Sequence, residues 1–157
     1  MNIIENINER LSFADEDFAS GGEQAVAQLI EVSPIKLPED YIEFLKRISG
    51  GKNNGIEFNV DGNIRISICI WNAQEAISNY EGNRKFMAFL NDLLWNKIWL
   101  IGTDLGDLVY FYGEGKDGFG LYRDEMGSLS VDKAEKIADT LTDFLVNGTG
   151  IDVAISF

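Results

Sequence analysis

Residues 37–51, LPEDYIEFLKRISGG, constrain the fold more than any other stretch of the chain. Tyr41, Phe44, Leu45 and Ile48 recur at i, i+3, i+4 and i+7, which makes one apolar face of a helix. Leu37 and Pro38 open it, and proline suits the first helical position because its missing N–H costs nothing there. Glu39 and Asp40 sit where the helix dipole favours negative charge, Lys46 and Arg47 where it favours positive charge. Gly50 and Gly51 are expected to stop the helix, because glycine accepts the left-handed conformation of C-terminal caps.

Other elements follow from pattern. Residues 2–11 read as a short helix with Ile3, Ile4, Ile7 and Leu11 on one face. Glu23–Val32 reads as a helix with Ala25, Val26, Leu29 and Ile30 inward. Ile56–Val60 alternates, Asp61-Gly62 signals a hairpin, and Ile64, Ile66, Ile68 and Ile70 alternate as a half-buried strand. Asn72 with Glu75 makes a capping box for a helix to about Tyr80, where Gly82 interrupts. Residues 83–95 read as a further helix with Phe86, Phe89, Leu90, Leu93 and Leu94 apolar.

Residues 97–101, 108–112, 119–123 and 128–131 are strand candidates between glycine turns. Asp132 with Glu135 then caps a helix whose core face is Ala134, Ile137, Ala138, Leu141, Phe144 and Leu145. The pattern argues one α+β domain over 1–148, a central, mostly antiparallel sheet with helices packed around it. Residues 149–157 form a tail that alternates as an edge strand would, or is a disordered end.

Three segments in order carry a resemblance: LP-x-x-Y-x-x-F-L then Gly50-Gly51, the turn I-G-x-D-x-G-D at 101–107, and A-D-x-x-x-x-F-L at 138–145. Together they resemble the SUKH superfamily, which holds the yeast cell-wall-synthesis regulator and many bacterial toxin-immunity proteins. The likeness runs over roughly residues 22–147. Its motif positions here are Leu37, Pro38, Tyr41, Phe44, Leu45, Gly50, Gly51, Gly102, Asp104, Gly106, Asp107, Phe144 and Leu145. Leu105 departs from it, standing where a glycine is expected before Gly106. Gly106 is expected to need a positive φ, with Asp104 bonding the turn backbone.

Charge bounds the partners. The chain has 157 residues, 26 acids, 13 bases and a net charge of −13. Residues 1–44 hold ten of the acids against Arg10 and Lys36 alone. Such a balance argues against direct binding of nucleic acid, which needs a basic surface, and against adsorption to anionic membranes. It permits a basic protein partner. The sequence has no histidine and one cysteine, Cys69. That removes Ser-His-Asp and Cys-His catalysis, histidine-dependent zinc sites and thiolate clusters. Neither a metal nor a cofactor is expected. Cys69, in an apolar run, reads as a buried structural thiol that fits a reducing cytosol. Neither a secretion signal nor a membrane span is visible, so the expected location is cytoplasmic.

Weaker patterns have simpler readings. Gly113, Gly115 and Gly118 match G-x-G-x-x-G but fall between two strands, where a hairpin turn belongs. Asp104, Asp107, Glu114 and Asp117 lack the spacing of a calcium loop. Asp104 and Asp107 could be a carboxylate pair of the glycosidase kind, against the reading that Asp104 serves its own turn. Trp71, Trp95 and Trp99 lie among apolar residues, as core residues do.

What the resemblance implies is a non-enzymatic protein-binding domain, a bacterial immunity protein that binds and neutralises a cognate toxin, such as a basic nuclease domain. A regulatory scaffold recruiting cellular proteins is the alternative, and a carboxylate-based enzyme a third reading. Candidate partner-binding residues, chosen for local charge density in loops, are Asp15, Glu16, Asp17, Glu114, Asp117, Asp124 and Glu125. Nothing in the sequence selects a homodimer over a monomer.

Overall fold

The computed structural model describes residues 2–87 and 93–156. Strand β1 is Leu11–Phe13, and helices α1 (Glu23–Val32) and α2 (Glu39–Ile48) follow. Strands β2 (Gly55–Val60) and β3 (Asn63–Trp71) lead into helix α3, Ala73–Met87. Strands β4 (Ile98–Thr103), β5 (Leu108–Gly115), β6 (Gly118–Glu125) and β7 (Glu135–Ala138) come next. Helices α4 (Leu141–Leu145) and α5 (Ile151–Ile155) end the described chain. The seven strands lie side by side in chain order, each antiparallel to the next. The sheet is curled enough that α5 packs against β3 as well as β7. The α+β architecture expected from sequence is therefore present, with helices packed around an antiparallel sheet.

The motif helix is the centre of the core. Tyr41, Phe44, Leu45, Ile101, Leu141, Phe144 and Leu145 are all buried in one cluster. The buried Tyr41 hydroxyl accepts a hydrogen bond from Trp99 Nε1 on β4, at 3.0 Å. Its ring meets Tyr112 of β5 at 5.5 Å, and Tyr110 meets Phe144 of α4 at 6.0 Å. Asp40 does more than complement the dipole. Its Oδ2 accepts from both the backbone N–H and the hydroxyl of Thr142, at 2.9 and 2.8 Å. The first turn of α2 thus fastens α4, 102 residues away along the chain.

The β2–β3 hairpin forms as its signal demands, with Asp61 at φ 54° and Gly62 at φ 72°. Gly50 is needed for a different reason from the one expected. Its φ is not positive, and a Cβ there would meet the Ser20 carbonyl oxygen at 2.0 Å. The end of α2 is backed directly by the 19–21 backbone, through Gly50 N–H to the Ala19 carbonyl at 2.9 Å.

Several expectations are corrected. Residues 2–11 hold only a 3₁₀ turn, Ile4–Asn6, before β1. Asn2 and Asn8 accept hydrogen bonds from the Ile4 and Arg10 N–H groups, and such local bonds compete with a helix. Helix α3 runs on through Gly82, and the helix expected over 83–95 includes residues outside those described. Ile30 is 52% exposed rather than inward.

Residues 128–131 are not a strand. Asp124 Oδ2 accepts from Ser130 N–H at 2.9 Å and holds that loop. The helix expected from Asp132 is instead β7 followed by α4, capped by Thr140 accepting from Asp143 N–H. Pairing of Glu135, Lys136 and Ala138 with β6 wins over the helical spacing of the same residues. The tail is helical: Ile151 and Ala154, three apart, are the buried positions rather than alternate residues.

Candidate functional site

The 101–107 turn is built by side chains. Asp104 Oδ1 accepts from the N–H groups of Gly106 (2.7 Å) and Leu108 (3.2 Å). Thr103 Oγ1 accepts from Leu105 N–H and donates to the Leu108 carbonyl. The positive φ falls on Leu105, at 68°, and not on Gly106 as expected. This is the position where the motif would have had glycine. Gly102, by contrast, is required by close approach, since a Cβ there would lie 2.0 Å from the Cys69 carbonyl oxygen.

This turn walls a cleft of about 580 Å³, lined by Asp104, Asp107, Leu108, Arg123, Asp124, Glu125, Lys133, Glu135 and Ser156. Five carboxylates therefore face two cations, and both cations are engaged. Lys133 Nζ lies 2.6 Å from Asp124 Oδ1. Arg123 is buried and donates to Glu135 (3.0 Å), to Ser156 Oγ (2.7 Å) and to the Ser156 carbonyl (2.7 Å). Arg123 thereby anchors the end of α5 to the sheet. Asp107 and Glu125 are exposed at the rim.

A second depression, about 420 Å³, is lined by Asp15, Asp17, Lys52, Asn53, Asn54, Gly55, Glu57 and Cys69. Here Cys69 is half-buried, and burial first, then Glu57, Glu75 and Asp15, push its thiol up to about 12. It is protonated and unreactive at neutral pH.

Of the seven candidate partner-binding acids, Asp15 and Asp17 share one depression, and Asp124 and Glu125 share the other. Glu16 is exposed beside the first pair. Glu114 and Asp117 are exposed at the β5–β6 hairpin, away from both linings. Asp124 is not a free surface acid, because Lys133, Ser130 and Glu125 N–H all bond it. Glu57 and Glu135 joined these sites without being foreseen. The signal for Glu57 was present: it alternates with the inward Ile56, Phe58 and Val60.

Asp104 and Asp107 share the cleft, but Asp104 is occupied by its own turn. Among the described residues, no group of three or more carboxylates or thiols lies close enough to hold a metal ion. Trp71, Trp95 and Trp99 are all buried in the core.

The order of motif helix, Asp104 turn and α4 is now fixed in space, and residues 22–147 match the SMI1 / KNR4 family (SUKH-1). The chain belongs to this family. None of the curated proteins compared with it gives a significant match. Seen as a SUKH-1 domain, the chain uses its family motifs for construction. Tyr41, Phe44, Phe144 and Leu145 join helices to sheet, and Asp104 builds the turn. Its acids occupy the surface around those parts. No helix among the described residues is long and apolar enough to cross a membrane.

Proposed function

We infer that this SUKH-1 domain is a non-enzymatic binding protein, specifically a bacterial immunity protein that neutralises a cognate toxin by covering its working face. Family membership is the observation that carries the reading. The surface supports it. Two depressions lined by carboxylates, on a chain of net charge −13, suit a basic face such as a nuclease cleft, which must be positive to hold phosphate. The binding role falls to Asp15, Glu16, Asp17, Glu114, Asp117, Asp124 and Glu125, with the toxin met in the cytoplasm.

The test is co-expression of the toxin domain encoded beside this gene with wild-type protein or charge-reversed variants, scored by survival. Wild type should protect. Reversal of the Asp15–Asp17 cluster, of Glu114 with Asp117, or of Glu125 should weaken the complex tenfold or more at whichever surface binds. Asp124 is a poor choice, because its reversal would also break the Lys133 pair and release the 128–131 loop. Association should slow as salt rises to physiological strength, where the Debye length is about 8 Å. Full protection by every reversal would sink the electrostatic mechanism. A domain that captures several housekeeping proteins and no adjacent toxin would be a recruiting scaffold instead.

A further inference from the structure

A surface of a different kind lies where the chain enters α2. Lys36, Leu37, Pro38 and Glu39 line an open groove of about 570 Å³ with Phe119 of β6. Leu37 and Pro38 are half-buried, so each presents part of its side chain to the groove. Phe119 is 40% exposed. A single exposed ring is ordinary on a protein surface, but one set among apolar groove walls has the form of a partner anchor.

The ring is also held in place. It stacks on Tyr112 at 6.0 Å and 8°, and Tyr112 packs on Tyr41 of α2. Phe119 is thus the outer end of an aromatic column rooted in the core. A ring already fixed loses little rotamer freedom when a partner covers it, which favours binding.

Charge gives the groove a direction. Glu114 stands directly opposite Phe119 across the β5–β6 ladder, on the same sheet face. Glu39 lines the groove as well, following Pro38. Both are exposed, and neither carboxylate has a hydrogen bond or ion pair among the described residues. Lys36 precedes Leu37, so the Leu37–Pro38 floor runs from a cation to an anion along the chain. An apolar centre with a charged rim is the anatomy of a protein interface.

We propose that this groove docks an extended segment of a protein partner whose apolar side chain rests against Phe119 and Pro38, next to a basic side chain that meets Glu39 and Glu114. The proposal rests on the reading of this domain as a protein binder, and it supplies the anchor that a steering field of acids does not. Lysine or arginine beside the apolar anchor follows from the two unpaired carboxylates. An acidic residue there would meet like charge.

The probe is a random heptapeptide phage library, panned on the immobilised full chain at physiological salt. Enriched peptides should carry Phe, Leu, Ile or Trp adjacent to Lys or Arg. Binding of the consensus peptide, followed by fluorescence anisotropy, should weaken at least tenfold in Phe119→Ser and in Glu114→Lys. It should stay within twofold in Glu81→Lys, an exposed acid on α3 that lines neither the groove nor either acidic depression. Unchanged circular dichroism would show that the variants fold, and Glu114→Lys leaves the aromatic column intact. No enrichment, or enriched peptides indifferent to both groove variants, overturns the proposal. The two readings fail separately. Peptides bound at Phe119 by a chain that protects against no toxin would sink immunity and keep the groove. Protection without any groove-dependent peptide would do the reverse.

Discussion

At the scale of single residues, Leu105 is the position most at odds with its backbone. A left-handed conformation costs an L-residue roughly 1–2 kcal/mol relative to its right-handed regions. Leu105 holds φ 68° because the side chains of Thr103 and Asp104 bind the turn around it. Its own side chain is 57% exposed and contributes little burial in exchange. Leu105→Gly should therefore stabilise the fold by roughly 0.5–1 kcal/mol, the relief of strain less the extra freedom glycine gains when unfolded. A urea melt would show the midpoint move up at unchanged slope. A lower midpoint would mean that the leucine packs usefully after all. Sequence comparison with the motif pointed to this position as the unusual one. It could not say that the positive φ stays there rather than moving to Gly106, because that depends on which N–H groups Asp104 captures.

At the scale of elements, α2 is held by two different kinds of contact that can be separated. Phe44→Ala removes a buried ring and should cost roughly 3–5 kcal/mol, the usual range for an aromatic cavity. Tyr41→Phe keeps the ring but strands the buried Trp99 Nε1–H, and should cost about 1–3 kcal/mol. Denaturant melts of the two variants would order them. Equal losses would mean that the hydrogen bond matters as much as the packing.

The same elements show what was legible beforehand. Helices α1 and α2 and the β2–β3 hairpin could be read because propensity, pattern and turn residues all agree there. The stretch 132–145 could not, because Ala134, Ile137, Ala138 and Leu141 fit a helix locally and only the free edge of β6 makes 135–138 a strand. The last segment was misread for a related reason. Ile151, Val153 and Ile155 alternate, yet the gap between β7 and β3 accepts Ile151 and Ala154 of a short helix. Of the surface sites, the acids were legible as charge density. Their grouping was not, since it depends on which loops the curled sheet brings together.

At the scale of the whole molecule, stability should respond to pH on the alkaline side and hardly at all near neutrality. The chain has no histidine, so no side chain with an ordinary pKa between about 5 and 8 is present to couple folding to protons. Burial raises the hydroxyls of Tyr41 and Tyr110 above the usual phenol range, and it pushes the Cys69 thiol up to about 12. All three are neutral when protonated, so the folded state keeps protons that the unfolded chain gives up. Their contribution is fully present below the unfolded values, ~8.5 for a thiol and ~10 for a phenol. It is lost as pH rises above them, because the unfolded state then binds fewer protons than the native one. The melting temperature should be flat between about pH 6 and 8, decline gently above about 9 and fall steeply above about 10. Phenolate absorbance from Tyr41 and Tyr110 should appear together with loss of the far-ultraviolet helix signal, since these two ionise readily only once exposed. Tyr41→Phe should flatten the alkaline limb while lowering stability at neutral pH. A marked transition between pH 6 and 8 would contradict this account. So would phenolate signal from every tyrosine near pH 10 with the helix signal intact, because it would place these hydroxyls in water rather than in the core.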